Sequence, residues 1–129
     1  MRISRAQWDE LVAHAREEVP NECCGYLWLS DGTVEGVARA TNERHSPYGY
    51  ELDAQSMFAA YRLSEEEGRQ VGSYHSHPRS AAKPSQTDLN LARNWPDWLY
   101  LIVSLDGEPT VRAWWLKDGR MEEEQLDLA

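Results

Sequence analysis

The sequence predicts a mixed α/β (α+β) fold, one mixed β-sheet with helices on its faces. Three features of its 129 residues lead there. The chain opens on a capped amphipathic helix. Two nearly continuous apolar runs follow, at residues 24–29 and 98–105, and Asp-Gly pairs stand at 31–32, 106–107 and 118–119. A helix with one apolar stripe and a strand apolar on both sides must share a core, and layering helices on a sheet lets them do so.

The elements follow in order. Ser4 with Gln7 forms a capping-box pattern, and Trp8, Leu11, Val12, Ala15 and Val19 then fall on one helical face. Pro20 and Asn21 stop that helix. Cys24 to Leu29 reads as a strand, Asp31-Gly32 as the tight turn of a hairpin, and the return strand runs to about Ala40. Strand alternation sends Cys23 and Cys24 to opposite faces. Asp53 caps a second helix whose apolar set is Met57, Phe58, Tyr61 and Leu63, with Gly68 as its stop. Val71 to Tyr74 is a short strand, followed by a polar, Pro-containing loop and a short helix after Ser85. Trp98 to Leu105 suits a central strand covered on both sides. Asp106-Gly107 leads into a strand over 110–116 and Asp118-Gly119 into a last one. Trp114 and Trp115 alternate faces, Trp95 and Trp98 cover sheet edges, and His14 and His45 are surface residues. No repeat or linker interrupts residues 1–129, which read as a single domain.

Composition excludes several classes. Apolar residues make up 41% of the chain, with six Trp and six Tyr, so it can build a core and is not disordered. A net charge of −9 argues against nucleic-acid and anionic-membrane partners, which need a positive face. No apolar run is long enough to span a bilayer, and the N-terminus has no apolar h-region. Two adjacent cysteines make no disulfide framework, and four-cysteine zinc sites are excluded by count, so the expectation is a cytoplasmic protein with reduced thiols. The charge is uneven. Residues 118–129 form an acidic tail, whereas residues 69–93 carry Arg69, Arg79, Lys83 and Arg93 against Asp88 alone.

The informative stretch lies in that basic segment. His75 and His77, two apart, leave a strand on the same side and can reach one metal ion. Asp88, eleven residues past His77, can return to it from the next helix. Two imidazoles and a carboxylate form a donor set that zinc favours, with water in an open fourth position, a catalytic arrangement. Each piece also has a plain reading: a His-x-His pair on a strand is commonly just hydrogen-bonded, Ser85-x-x-Asp88 is a capping box, and Glu22 alone is an ordinary carboxylate.

Together, Glu22, His75-Ser76-His77-Pro78, six residues, then Ser85-x-x-Asp88 resemble the JAMM motif of the MPN+ metalloprotease family. Asn21 to Leu27 resembles the family's first strand, and Thr41-Asn42 is a further familiar feature. The resemblance covers nearly the whole chain. It implies a JAMM/MPN domain with a cytidine-deaminase-like mixed sheet and one Zn2+ per chain bound by His75, His77 and Asp88. It implies Glu22 as general base, and Ser85 as the residue that positions the water or stabilises the oxyanion. The activity implied is hydrolysis of peptide or isopeptide bonds next to ubiquitin-like proteins. The compact chain is similar to small bacterial members, which act on sulfur-carrier proteins ending in Gly-Gly and release cysteine. A cysteine leaving group carries a carboxylate, for which Arg79 or Lys83 is the expected contact. Two alternatives keep the fold: a desampylase-like or deubiquitinase-like isopeptidase, and a non-catalytic MPN scaffold that has lost its metal. A zinc deaminase, which shares a related layered architecture, needs His-x-Glu and Pro-Cys-x-x-Cys, and neither is present.

Overall fold

A computed structural model describes residues 1–93 and 98–129. The elements in order are β1 (Arg2–Ile3), α1 (Arg5–Glu18), β2 (Cys24–Ser30), β3 (Thr33–Ala40), α2 (Ala54–Glu65), β4 (Gln70–His77), α3 (Gln86–Ala92), β5 (Leu99–Ser104), β6 (Thr110–Lys117), β7 (Arg120–Glu124) and β8 (Asp127–Leu128). The strands form one sheet in the order β7-β6-β5-β4-β2-β3-β1-β8. β4 pairs in parallel with β5 and antiparallel with β2. β1 pairs in parallel with both β3 and β8.

Local chemistry explains most of the elements. The Ser4–Gln7 capping box forms as expected and starts α1. Asp31 and Gly32 both take positive φ, as do Asp118 and Gly119, which is what two-residue hairpin turns require. Asp53 caps α2 through the Ser56 amide. All six residues of β5 are buried, as expected of a doubly covered central strand.

α1 covers one face of the sheet. There Leu11, Val12 and Ala15 pack with Leu27, Leu29, Tyr74, Leu101 and Val103. The opposite face carries two smaller cores. Leu89 and Ala92 of α3 sit on Tyr100, Ile102 and Trp114, while Met57 of α2 borders a group of Cys24, Tyr50 and Leu52. Strand alternation holds: Cys23 and Trp115 belong to the α1 side, Cys24 and Trp114 to the other. Both thiols are free and buried. Among the described residues no helix is long and apolar enough to cross a membrane.

Several expectations need correction. β4 runs to His77, so both histidines lie inside the strand rather than beyond it. On α2 only Ala60 is fully buried, whereas Phe58 is 72% exposed and Tyr61 45% exposed. The helix lies on the sheet with a narrower stripe than its apolar residues suggest. Val19 is likewise exposed, because α1 ends before it. His14 is buried, not on the surface. Its Nδ1 lies 2.7 Å from the Tyr74 hydroxyl, a partner that lets a polar ring enter the core. Burial lowers its pKa, and Arg39 pushes the same way. His45 is exposed as expected. Trp98 packs beside Leu89 and Tyr100, and Trp95 lies outside the described residues. β1 and β8, two residues each, offer no sequence pattern.

Gly25 is a very close approach in the sheet. A Cβ there would strike the Tyr74 ring and the Ala38 carbonyl, and the latter is backbone that cannot swing away. Gly25→Ala is expected to destabilise the fold by roughly 1–3 kcal/mol, the usual cost of overpacking, read as a lower urea midpoint. An unchanged midpoint would show that β3 yields freely.

Candidate metal centre

The centre is built on the C-terminal end of β4 and the first turn of α3. His75, His77 and Asp88 each offer a ligand atom, and these atoms all lie within 4.8 Å of one another. All three residues are buried. Two features of the chain bring them together. Residues 75 and 77 share a face of β4, and Ser85 caps α3 so tightly that Asp88, at its third position, is fixed.

The cap is reciprocal. The Asp88 amide donates to Ser85 Oγ at 3.1 Å, and the Ser85 amide donates to Asp88 Oδ2 at 2.9 Å. The same Oδ2 lies 3.0 Å from His77 Nε2. His77 Nδ1 stands 2.8 Å from the Ala81 carbonyl oxygen, which can only accept, so Nδ1 carries the hydrogen and Nε2 faces the cluster. His75 is held differently. Its ring stacks on Tyr50, with centroids 4.3 Å apart and planes at 17°. Its Nε2 is 3.2 Å from Asp88 Oδ1, an ion-pair contact, yet both ring nitrogens are buried without a hydrogen-bond partner.

Charge follows geometry. Burial alone would raise the Asp88 carboxyl, but His75, His77 and the Ser85 amide together hold it well below the usual carboxylate range. Burial works against a charged His77, yet its bonds to Asp88 and the Ala81 carbonyl win and raise its pKa. Glu22, in the lead-in to β2, is also buried, and its Oε1 has no hydrogen-bond partner. Burial pushes the Glu22 carboxyl up to about 7, against the pull of His75 and His77, while Asp88 adds to the rise.

A metal ion fits this set. Buried polar atoms are normally satisfied. Here the two His75 nitrogens and Glu22 Oε1 are orphaned beside an ionised carboxylate, and a divalent cation gives such donors a partner. Among the described residues the metal-ligand group contains three side chains, which matches a site that keeps a position open.

Some supports escaped the sequence reading. Asn42, noted there only as a familiar feature, is a clasp. Its Nδ2 donates to the carbonyls of Glu22 and Gly49, both at 3.0 Å, and its Oδ1 accepts from the amides of Arg44 and Glu51. Three of these bonds close the 42–51 loop on itself and the fourth ties it to the chain at Glu22, whose own amide donates to Ser46 O. Tyr50, on the same loop, supports His75 and lines a cavity of about 340 Å³ with Met57, Ser73, Leu91 and Tyr100. No local pattern announces either role, because each depends on a loop closing across the sheet. Arg79 and Lys83 are exposed on the loop between His77 and Ser85 and are not part of the donor cluster. Arg79 lines a separate hollow with Pro20, Pro47, Tyr48 and Pro78.

Added divalent cation is expected to stabilise the chain by about 2.7 kcal/mol at a hundred times its Kd, seen as a higher Tm, and His77→Ala is expected to abolish the increment. An equal rise in His77→Ala would place the metal elsewhere.

The chain matches the family model described as prokaryotic homologs of the JAB domain over residues 4–117. It is 40% identical over 114 residues to a protein of Haloferax volcanii named "Desampylase", covering 82% of this chain and 81% of that one. It is 35% identical over 123 residues to the "CysO-cysteine peptidase" of Mycobacterium tuberculosis, covering 92% and 84%. A solution structure of a protein from Desulfitobacterium hafniense superposes with a TM-score of 0.85 at 33% identity, over 99% of this chain and 92% of that one. With its His-x-His-Pro strand and its Ser-capped aspartate, this chain belongs to the prokaryotic branch of the JAB/MPN family.

Proposed function

We propose that this protein is a zinc metallopeptidase that hydrolyses the bond after the C-terminal Gly-Gly of a ubiquitin-like or sulfur-carrier protein, releasing cysteine. The observation that carries the reading is the buried His75–His77–Asp88 cluster with the partnerless Glu22 Oε1 beside it. The relative named for CysO-cysteine supports cysteine as the leaving group. Two nitrogens and one oxygen suit zinc. Both thiols are buried and free, consistent with a cytoplasmic setting.

His75, His77 and Asp88 would hold the ion, with the Ala81 carbonyl fixing the His77 tautomer. Bound there, zinc supplies Lewis acidity, which polarises a carbonyl and lowers the pKa of a water to about 7. Glu22 takes the proton of the attacking water at its carboxylate and hands it to the leaving nitrogen. Ser85 Oγ already accepts from the Asp88 amide, so its own hydroxyl hydrogen is available to the carbonyl oxygen as negative charge grows there. Arg79 or Lys83 pairs with the carboxylate of the departing cysteine. A Gly-Gly tail has no side chains, so recognition rests on its backbone and on the body of the carrier.

A second reading, a desampylase-like isopeptidase that frees a lysine amine, is favoured by the 40% identical relative. Mass spectrometry of a carrier–cysteine adduct and of a carrier–lysine isopeptide, each with and without chelator, separates the two. The main reading expects chelator-sensitive loss of cysteine. Release of lysine alone would reverse the order, and no release of either would remove both.

Glu22→Gln is expected to keep its metal and lose turnover, and metal analysis beside kinetics checks both halves. Ser85→Ala is expected to lower kcat about 10²- to 10³-fold, as loss of an oxyanion donor does. A carrier ending in cysteinamide is expected to be cleaved more slowly than one ending in cysteine. Equal rates would remove the role given to Arg79 and Lys83.

A further inference from the structure

We propose that Ser76, the residue between the two histidines, is a positioning residue for the Glu22 carboxylate. This rests on the reading of Glu22 as general base.

The ladder between β2 and β4 is regular from Leu29–Gln70 to Cys24–His75. One step further, Cys23 faces Ser76. At a hydrogen-bonded pair of an antiparallel ladder the two residues exchange both N–H···O=C bonds. Here only one is made in that way: the Ser76 amide donates to Cys23 O at 3.2 Å. The Cys23 amide donates instead to the Ser76 side chain, Oγ, at 2.7 Å. A hydroxyl has replaced the carbonyl as acceptor, and the two strands part at this point. The next residue is Glu22, whose amide turns away to Ser46 O while its carbonyl is taken by Asn42. Glu22 thus leaves the sheet one residue after the Ser76 bond and beside the ligand His77 that β4 carries next. Ser76 is fully buried, so no water competes for this bond.

With Ser76→Ala the Cys23 amide loses its acceptor and re-pairs with the Ser76 carbonyl, which closes the ladder and draws the Glu22 carboxylate away. The expected kcat falls about 10²-fold, the scale of a small misplacement of a reacting group, with KM and metal content unchanged. Ser76→Thr keeps the hydroxyl and is expected to restore most of the rate. In a Glu22→Gln background Ser76→Ala is expected to leave the residual rate unchanged, because the group it positions is already disabled. Two readouts are independent of turnover: hydrogen exchange at the Cys23 amide, expected to change in Ser76→Ala and not in Ser76→Thr, and the 13Cδ shift of Glu22, expected to move with it. If Ser76→Ala does not fold, Ser76→Cys replaces it, since its thiol fills the space but accepts poorly.

Loss of metal in Ser76→Ala would overturn the proposal, because Ser76 would then act on the histidines. A further rate loss in the Glu22→Gln background, or an unmoved Glu22 signal, would overturn it as well. If the wild-type chain cleaves no Gly-Gly adduct, the proposed function fails, and the Cys23 and Glu22 signals still decide what Ser76 does.

Discussion

The structure depends on one constraint: four polar side chains, His75, His77, Asp88 and Glu22, must stay buried on a sheet face without satisfying one another completely. Each buried polar atom left without a partner costs about 1–3 kcal/mol. A fold can hold such a cluster only if its surroundings are rigid enough to prevent collapse into private hydrogen bonds. Here the surroundings are rigid for identifiable reasons. Tyr50 blocks one side of His75, the Ala81 carbonyl fixes His77, and a capping box fixes Asp88. The apolar packing beneath α1 and α3 carries the stability that the cluster gives up.

The topology explains why these residues meet. Parallel strands need a crossover connection, and β4 and β5 are the central parallel pair, with α3 between them in the chain. Such a crossover carries the end of one strand to the start of a helix, so side chains from the last residues of β4 and the first turn of α3 converge. In open α/β sheets, ligands sit at these carboxyl ends for the same reason. Glu22 enters from the segment that leads into the neighbouring antiparallel strand, and the Asn42 clasp draws a third segment over it.

What the sequence reveals is what local chemistry decides. The Ser4 and Ser85 caps, the Asp31-Gly32 and Asp118-Gly119 turns and the apolar run of β5 each carry their cause within a few residues, and all appear where expected. The convergence of His75, His77 and Asp88 is legible in part for the same reason, since one strand step separates the histidines and the Ser85 cap fixes the aspartate at the other end of the loop. His14 is not legible, because its burial is made tolerable by Tyr74, sixty residues away. Nor is the exposure of Phe58 and Tyr61, because a helix's apolar residues do not say how much of it the sheet will cover. Asn42 and Tyr50 look like ordinary loop residues until the loop closes.

The capping role of Ser85 and the oxyanion role proposed for it can be told apart by measurement. Its Oγ caps α3 by accepting from the Asp88 amide, while its hydrogen is free to donate. Losing an N-cap costs about 1 kcal/mol of stability. Losing an oxyanion donor costs about 2.7–4 kcal/mol of activation free energy. The larger quantity acts only on the reaction and the smaller only on folding. A substitution at Ser85 that lowered both by the same small amount would describe a cap and nothing more, whereas a rate loss far beyond the stability loss is the signature of a hydroxyl that faces the reacting carbonyl.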